Sequence, residues 1–440
     1  MSKPHKHPVK KRQNNQATHR RDISKNKVVG RIEQIESVLK EILNWEHPAD
    51  VILSQWFRKH KQLGARDRHE VAEAVFDVLR HLKQYRQYAE SGFGSHTRRL
   101  AILGLYAVIG ESIFSQLQEE EKDWLKRLAL IDPESLSPDV RFSMPTWLIE
   151  KLTHLPDANN LFLALNEKAP LDLRVNIFKA NREDILEKVK AYEPQAQATP
   201  YSPWGIRLWN KPALSRWPMF EAGEIEVQDE GSQILGMLLA PKRGEMVVDY
   251  CAGAGGKTLL LGALMRSTGR LYAFDVSESR LSKAKPRLAR SGLSNVTTVV
   301  LHKEKDERVK RLAGKADRVL VDAPCTGMGT LRRNPDLKWR QTPEDLKQLV
   351  ELQSKILDQA CTLLKPGGRL VYSTCSLLPQ ENELQIQSFL NRHPEFELKA
   401  VNDLWDERCT GLVMQDAYLK LRPDYHQTDG FFAAVLEKRK

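Results

Sequence analysis

From about residue 223 onward the sequence alternates between short apolar runs and longer amphipathic segments, and no other feature of the chain restricts its fold as much. Glu245-Met-Val-Val-Asp-Tyr250, Arg270-Leu-Tyr-Ala-Phe-Asp275, Val296 to Leu301, Ala316 to Ala323 and Arg369 to Cys375 read as strands. Lys257 to Arg266, Glu278 to Ser291 and Pro343 to Leu364 read as helices, the last followed by the turn Lys365-Pro-Gly-Gly. Strands this apolar must be covered on both faces, so the repeat of strand, helix, strand predicts a parallel doubly wound sheet. A ligand is then expected at the carboxyl ends of the strands.

The chain upstream is different. Between about 31 and 128 the apolar residues recur every three or four positions, as in Val71, Ala74, Val75, Val78, Leu79 and Leu82, which predicts a helical unit over residues 29–130. Ile131-Asp-Pro-Glu-Ser-Leu-Ser-Pro138 concentrates turn formers and reads as a linker. Residues 140–222 mix both signals and predict a small α/β module, with a short helix at Trp147 to Leu152, strands at Leu173 to Phe178 and Gly205 to Trp209, and a helix at Arg182 to Lys190. Its Tyr201, Trp204, Trp209 and Trp217 alternate with Arg207, Lys211 and Arg216, a mixture able to stack on bases and touch phosphates. Residues 223–440 hold the doubly wound domain.

Composition narrows the class of protein. Hydrophobic residues at 41% and charged residues at 28% exclude wholesale disorder. No run approaches the length of a membrane span, and the basic N-terminus lacks the apolar stretch of a secretory signal, so a cytoplasmic protein without membrane contact is expected. Five cysteines without a C-x-x-C pair argue against a disulfide scaffold and a structural metal site. Of the net charge of +11, +8 lies in residues 1–30, where nine Lys or Arg face only Asp22. Residues 1–28 therefore read as a disordered basic tail suited to a polyanion, RNA before membrane.

The loop Asp249-Tyr-Cys-Ala-Gly-Ala-Gly-Gly-Lys-Thr258 joins the first strand of the doubly wound domain to its helix. Gly253, Gly255 and Gly256 let the backbone approach a ligand and present amides at a helix N-terminus. A phosphate-binding Walker loop would need glycine where Cys251 stands, and the G-x-G-x-x-G spacing is missing, which weakens ATPase and dehydrogenase readings. Asp275, ending the next strand, can accept from the hydroxyls of a ribose, which suits an adenosine cofactor such as S-adenosylmethionine.

Two further strand ends carry thiols, in Val321-Asp-Ala-Pro-Cys-Thr-Gly327 and Tyr372-Ser-Thr-Cys-Ser376. Cys361 and Cys409 read as inert. Two thiols, a carboxyl group at Asp322 and a methyl donor meet the demands of methylating carbon 5 of cytosine. That carbon becomes nucleophilic only after a thiolate adds to carbon 6 with a proton or hydrogen bond supplied at N3, and a second thiol can assist elimination. The segment Leu331-Arg-Arg-Asn-Pro-Asp-Leu-Lys-Trp-Arg340 follows the first thiol, and Arg332, Arg333, Lys338 and Arg340 are candidates to grip the RNA backbone around an extruded base.

These motifs, with Pro379-x-Glu-Asn382, resemble those of the RsmB/Nop family of RNA cytosine-5 methyltransferases. Upstream, Leu63-Gly-Ala-Arg-Asp-Arg68 resembles the NusB-like RNA-binding domain of the bacterial RsmB type, and Pro170-Leu-Asp-Leu-Arg-Val-Asn176 the start of its small module. The resemblance implies a class I, Rossmann-like methyltransferase domain behind an all-α NusB-like domain and a small α/β module. It implies Cys375 as nucleophile, Cys325 as the thiol of release and Asp322 as the N3 partner. It also implies an S-adenosylmethionine site made of Cys251, Ala252, Gly253, Ala254, Gly255, Gly256, Lys257, Asp275 and Asp322. The substrate implied is 16S rRNA, acted on by a monomer that needs no metal. A catalytically weak RNA-binding assembly or antitermination factor is the alternative from another class, and tRNA an alternative substrate for the same chemistry. The sequence departs from the family in Ala252-Gly-Ala-Gly-Gly256, where relatives carry Ala-Ala-Pro-Gly-Gly, and in His302-Lys-Glu-Lys305, where relatives carry Gly-Asp.

Overall fold

The periodic apolar positions of the N-terminal third form helices over 30–42, Ala49–Lys59, Ala65–Arg80, Leu82–Ala89, His96–Ile109 and Glu119–Leu128 in the computed structural model, which describes residues 30–302, 306–404 and 411–440. The basic tail, Lys303 to Lys305 and Cys409 lie outside the described residues. Val71, Ala74, Val75, Val78 and Leu79 bury one face of Ala65–Arg80. His96–Ile109 crosses that helix closely at Gly104, where a Cβ would stand 2.5 Å from the carbonyl oxygen of Ala74.

The first compact unit runs to Thr146, beyond the boundary expected near 130 to 140. The proline-rich stretch forms the short helices Pro133–Ser135 and Pro138–Arg141 instead of a free linker. The ammonium of Lys83 pairs with Asp139, and its backbone N–H donates to Ser143 Oγ at 2.9 Å, which holds the stretch on the helices.

The second unit, Trp147–Lys440, contains both sheets; the small α/β module and the doubly wound domain are one compact body. Strands β1 (Leu171–Val175), β2 (Gln197–Ala198), β3 (Gly205–Leu208) and β4 (Ile225–Val227) pair antiparallel in the order β2-β3-β1-β4. The helix Arg182–Lys190 forms as its sequence predicts, capped by Asn181 and burying Ile185 and Val189. Trp204 and Trp217 are core residues, and Arg207 is buried in a two-pronged ion pair with Asp172 at 2.8 and 2.9 Å. These three are therefore structural rather than RNA-facing, whereas Trp209 is 53% exposed.

The larger sheet follows the alternation read from the sequence. Strands β5 (Met246–Asp249), β6 (Arg270–Asp275), β7 (Val296–Val300), β8 (Ala316–Asp322) and β9 (Leu364–Thr374) run parallel in the order β7-β6-β5-β8-β9. The sheet is not parallel throughout: β10 (Phe396–Lys399), β11 (Leu419–Leu421) and β12 (Phe431–Lys438) complete it, with β12 antiparallel to β9 and to both of the others. The Lys365-Pro-Gly-Gly turn lies inside β9, because pairing steps from Ala316↔Leu364 to Arg318↔Arg369 and leaves the extra residues as a bulge. The carboxyl ends of β5, β6, β8 and β9 thus share one edge, and every motif singled out for chemistry lies there.

Candidate active site

The glycine loop leaves β5 and enters the helix Gly256–Leu264 through two left-handed residues, Gly253 at φ +56° and Gly255 at φ +80°. The Gly255 N–H donates to the Ala252 carbonyl at 2.9 Å, and the Ala252 N–H to the Phe274 carbonyl at 2.8 Å. Without the family's proline, the loop is fixed by polar contacts. The Gly253 N–H donates to Asp275 Oδ2 at 2.8 Å, Arg287 donates to the Ala254 carbonyl at 2.6 Å, and Arg174 donates to the Gly256 carbonyl at 2.7 Å. Arg174 comes from β1 and also donates to Gln228; burial pushes its guanidinium down to about 10. The sequence does not give away the role of Arg174, inside the motif Pro170 to Asn176, or of Arg287, because each reaches the loop from an element distant in sequence.

Asp275 stands where expected, at the end of β6, and Arg280 pairs with its Oδ1 at 2.9 Å while the Ser277 N–H donates to the same oxygen at 2.7 Å. Behind the loop, Asp249 is fully buried and accepts from Thr258 Oγ at 2.7 Å. Burial pushes its carboxyl up to about 7, against the effect of the Thr258 hydrogen bond.

At the ends of β8 and β9 the two thiols meet, Cys325 Sγ and Cys375 Sγ being 3.4 Å apart. The Cys325 thiol is raised well above its ordinary range, first by its hydrogen bond to Cys375 and then by burial. Asp322 lies beside them with both oxygens engaged, Oδ2 by Lys257 Nζ at 2.7 Å and Oδ1 by Ser373 Oγ at 3.2 Å. Burial disfavours the Lys257 ammonium, but the Asp322 carboxylate outweighs it, aided by Cys375 and Asp249, and raises the lysine above its ordinary range. Asp322, expected as the N3 partner, is paired with Lys257 in this arrangement.

One cavity of about 1070 Å³ is lined by these groups, among them Gly253, Asp275, His302, Asp322, Cys325 and Cys375. The residues fit S-adenosylmethionine: a carboxylate for the ribose, and a glycine loop at a helix N-terminus. Among the described residues no group of three or more His, Cys, Asp or Glu side chains is placed to hold a metal ion, and no helix is long and apolar enough to cross a membrane.

The basic segment after Cys325 is placed differently from the expectation. Lys338 is fully buried and donates to Asn166 at 2.6 Å, and Arg332 is buried against the carbonyls of Lys168, Gln427 and Thr428. Arg333 pairs with Asp429 at 2.6 Å and Asp229 at 2.8 Å, and Arg340 with Asp336 at 3.4 Å. The charges expected to hold RNA make these contacts within the protein, with partners before β1, after β4 and before β12 as well as in the segment itself.

A family model described as 16S rRNA methyltransferase RsmB/F matches residues 236–437, and a second, described as the RsmF/B-like ferredoxin-like domain, matches residues 144–214. A Synechocystis protein named "Probable ribosomal RNA small subunit methyltransferase B" is 31% identical over 91% of this chain and 98% of its own length. The chain belongs to the RsmB/F methyltransferase family. The ribosomal RNA small subunit methyltransferase B of Yersinia pseudotuberculosis is 34% identical over 74% of this chain and 72% of that protein. The crystal structure of a methyltransferase homologue from Pyrococcus horikoshii superimposes with a TM-score of 0.59 at 32% identity, over 70% of this chain and all of that one. As an RsmB/F protein the chain is a methyltransferase with a Rossmann-like domain and a ferredoxin-like module, and its cofactor is S-adenosylmethionine.

Proposed function

We propose that this RsmB/F protein methylates carbon 5 of a cytosine in 16S rRNA through a temporary bond between Cys375 and carbon 6 of the base. The observation that carries the reading is the 3.4 Å contact of the two thiols at the ends of β8 and β9. The Cys325 thiol is raised by that contact and by burial, which makes it a poor nucleophile, and attack is assigned to Cys375. Addition to carbon 6 builds negative charge on the ring, and the Lys257 ammonium, oriented by Asp322, supplies the hydrogen bond at N3 that draws it off. S-adenosylmethionine supplies the methyl group that carbon 5 then attacks.

The cofactor assignment within the cavity extends over Cys251 to Lys257, Asp275 and Asp322. The substrate reading is supported by the printed names of the relatives, both of which specify small-subunit ribosomal RNA. The helical unit is proposed to be the NusB-like RNA-binding domain. The test is a pair of variants. Cys375→Ser should lower methyl transfer by on the order of 10³-fold or more, the scale of losing a covalent nucleophile. Cys325→Ala should accumulate a denaturant-resistant protein–RNA adduct when the cofactor is present. Normal transfer by the first variant, or no adduct with the second, contradicts the reading.

A further inference from the structure

The Glu381 side chain is fully buried one residue beyond both thiols. Its Oε1 accepts from the Thr326 backbone N–H at 2.8 Å and from Gln353 Nε2 at 3.0 Å. Its Oε2 accepts from Thr326 Oγ at 2.6 Å and from Ser376 Oγ. Thr326 directly follows Cys325 and Ser376 directly follows Cys375, so a single carboxylate joins the two thiol loops. Four donors fill about the four lone-pair sites that a carboxylate offers. The loops are braced around it as well: Gln353 also donates to the Pro324 carbonyl at 2.9 Å, while Asn382 accepts from Thr374 Oγ at 2.6 Å and donates to the Ser376 carbonyl at 3.0 Å.

We infer that Glu381 is a positioning residue that sets the separation of Cys325 from Cys375 and thereby the rate of release. The inference rests on the covalent reading proposed above. In release, the Cys325 thiol first loses its proton to solvent and its thiolate then takes the proton from carbon 5, the electron pair of that C–H bond becomes the C5=C6 double bond, and the bond from carbon 6 to Cys375 Sγ breaks to leave a thiolate. The base must reach the ring atom next to the one that Cys375 holds. Asn382 fixes Cys375 from both sides, through Thr374 and Ser376, whereas on the Cys325 side Glu381 grips Thr326 by both its N–H and its hydroxyl. Loss of the carboxylate should therefore displace Cys325 more than Cys375, and release should fail before attack does.

Glu381→Leu keeps about the volume but removes the acceptor that the Thr326 and Gln353 N–H groups require, whereas Glu381→Gln could keep Oε1 for those two and donate its N–H₂ to the hydroxyls of Thr326 and Ser376, and should be the milder variant. Turnover of Glu381→Leu is expected to fall by about 10- to 100-fold, the scale of an ångström of misplacement, while KM for S-adenosylmethionine stays within about twofold. A denaturant-resistant protein–RNA adduct should build up although Cys325 is present. Thr326→Val, which removes a single hydroxyl, should give the same adduct in a folded protein, and Thr326→Ser should restore normal turnover. Slow turnover in both Glu381→Leu and Thr326→Val, with no more adduct than the unsubstituted enzyme, would overturn the positioning role even though Cys325→Ala traps one. If Cys325→Ala traps no adduct either, the covalent reading falls and this inference with it.

Discussion

Proton affinities distinguish the groups at the strand ends. Asp322 raises Lys257 against the effect of burial, the contact with Cys375 raises the Cys325 thiol, and burial raises Asp249, beneath the loop, to about 7. The Asp249 case has a stability consequence with a definite sign. Its folded pKa lies above the value of about 3.9 for an exposed aspartate, so the native state binds the proton more tightly than the unfolded chain does. That stabilisation is complete below about pH 4 and is lost as the pH rises through about 7. Asp249→Asn, which retains an acceptor for Thr258, should match the unsubstituted protein in melting temperature near pH 4 and exceed it above pH 7. A difference in melting temperature that does not change with pH would show that Asp249 is not buried as a neutral acid.

At the scale of elements, the thiol geometry depends on two chain segments that nearly touch. The Gly329 N–H donates to the Cys375 carbonyl at 2.8 Å, and the Gly430 N–H donates to the Gly329 carbonyl at 2.8 Å, just before β12 begins. A Cβ on Gly329 would lie 2.1 Å from the Gly430 carbonyl oxygen. Gly329→Ala should therefore destabilise the protein by about 1–3 kcal/mol, as overpacking does, and lower methyl transfer by shifting the carbonyl that anchors Cys375. Unchanged denaturant midpoints and activity would show that the crossing can open at no cost. The strands that build this edge were legible in part. β5, β6 and β8 announce themselves as apolar runs ending in Asp249, Asp275 and Asp322, and Cys325 and Cys375 stand out because they follow such runs. β12 did not, since Phe431 to Leu436 is an apolar stretch that periodicity cannot tell from a helical one, and its partner is β9, far back in the chain. Glu381 and Arg174 lie in quoted motifs and Arg287 in none, but the roles of all three were illegible, because their partners lie 55, 82 and 33 residues away.

Over the whole molecule, the second unit is held together partly by charges first read as a surface for RNA. Arg333 lies between Asp229, which follows the small sheet, and Asp429, which precedes β12, and it also donates to the Pro170 carbonyl at 3.0 Å. Burial, together with the neighbouring charge of Asp229, pushes the Asp429 carboxyl up to about 7. Arg333→Met would strand two buried carboxylates, a loss of about 3–5 kcal/mol, so it should lower the denaturant midpoint sharply, with any loss of RNA binding following the loss of folded protein. A variant that stays fully stable but binds RNA weakly would return Arg333 to the role of a phosphate contact. The sequence pattern of Arg332 to Arg340 could not separate the two roles, because a run of basic residues looks the same whether its partners are phosphates or acids supplied by other segments.

The central claim concerns which atom receives the methyl group. It is tested most directly by incubating the protein with 16S rRNA and labelled S-adenosylmethionine, digesting the RNA to nucleosides and identifying the one that carries the label. The account predicts 5-methylcytidine from the unsubstituted protein and none from Cys375→Ser. Label on another nucleoside, on a ribose oxygen, or on cytidine with Cys375→Ser as active as the unsubstituted protein would contradict it.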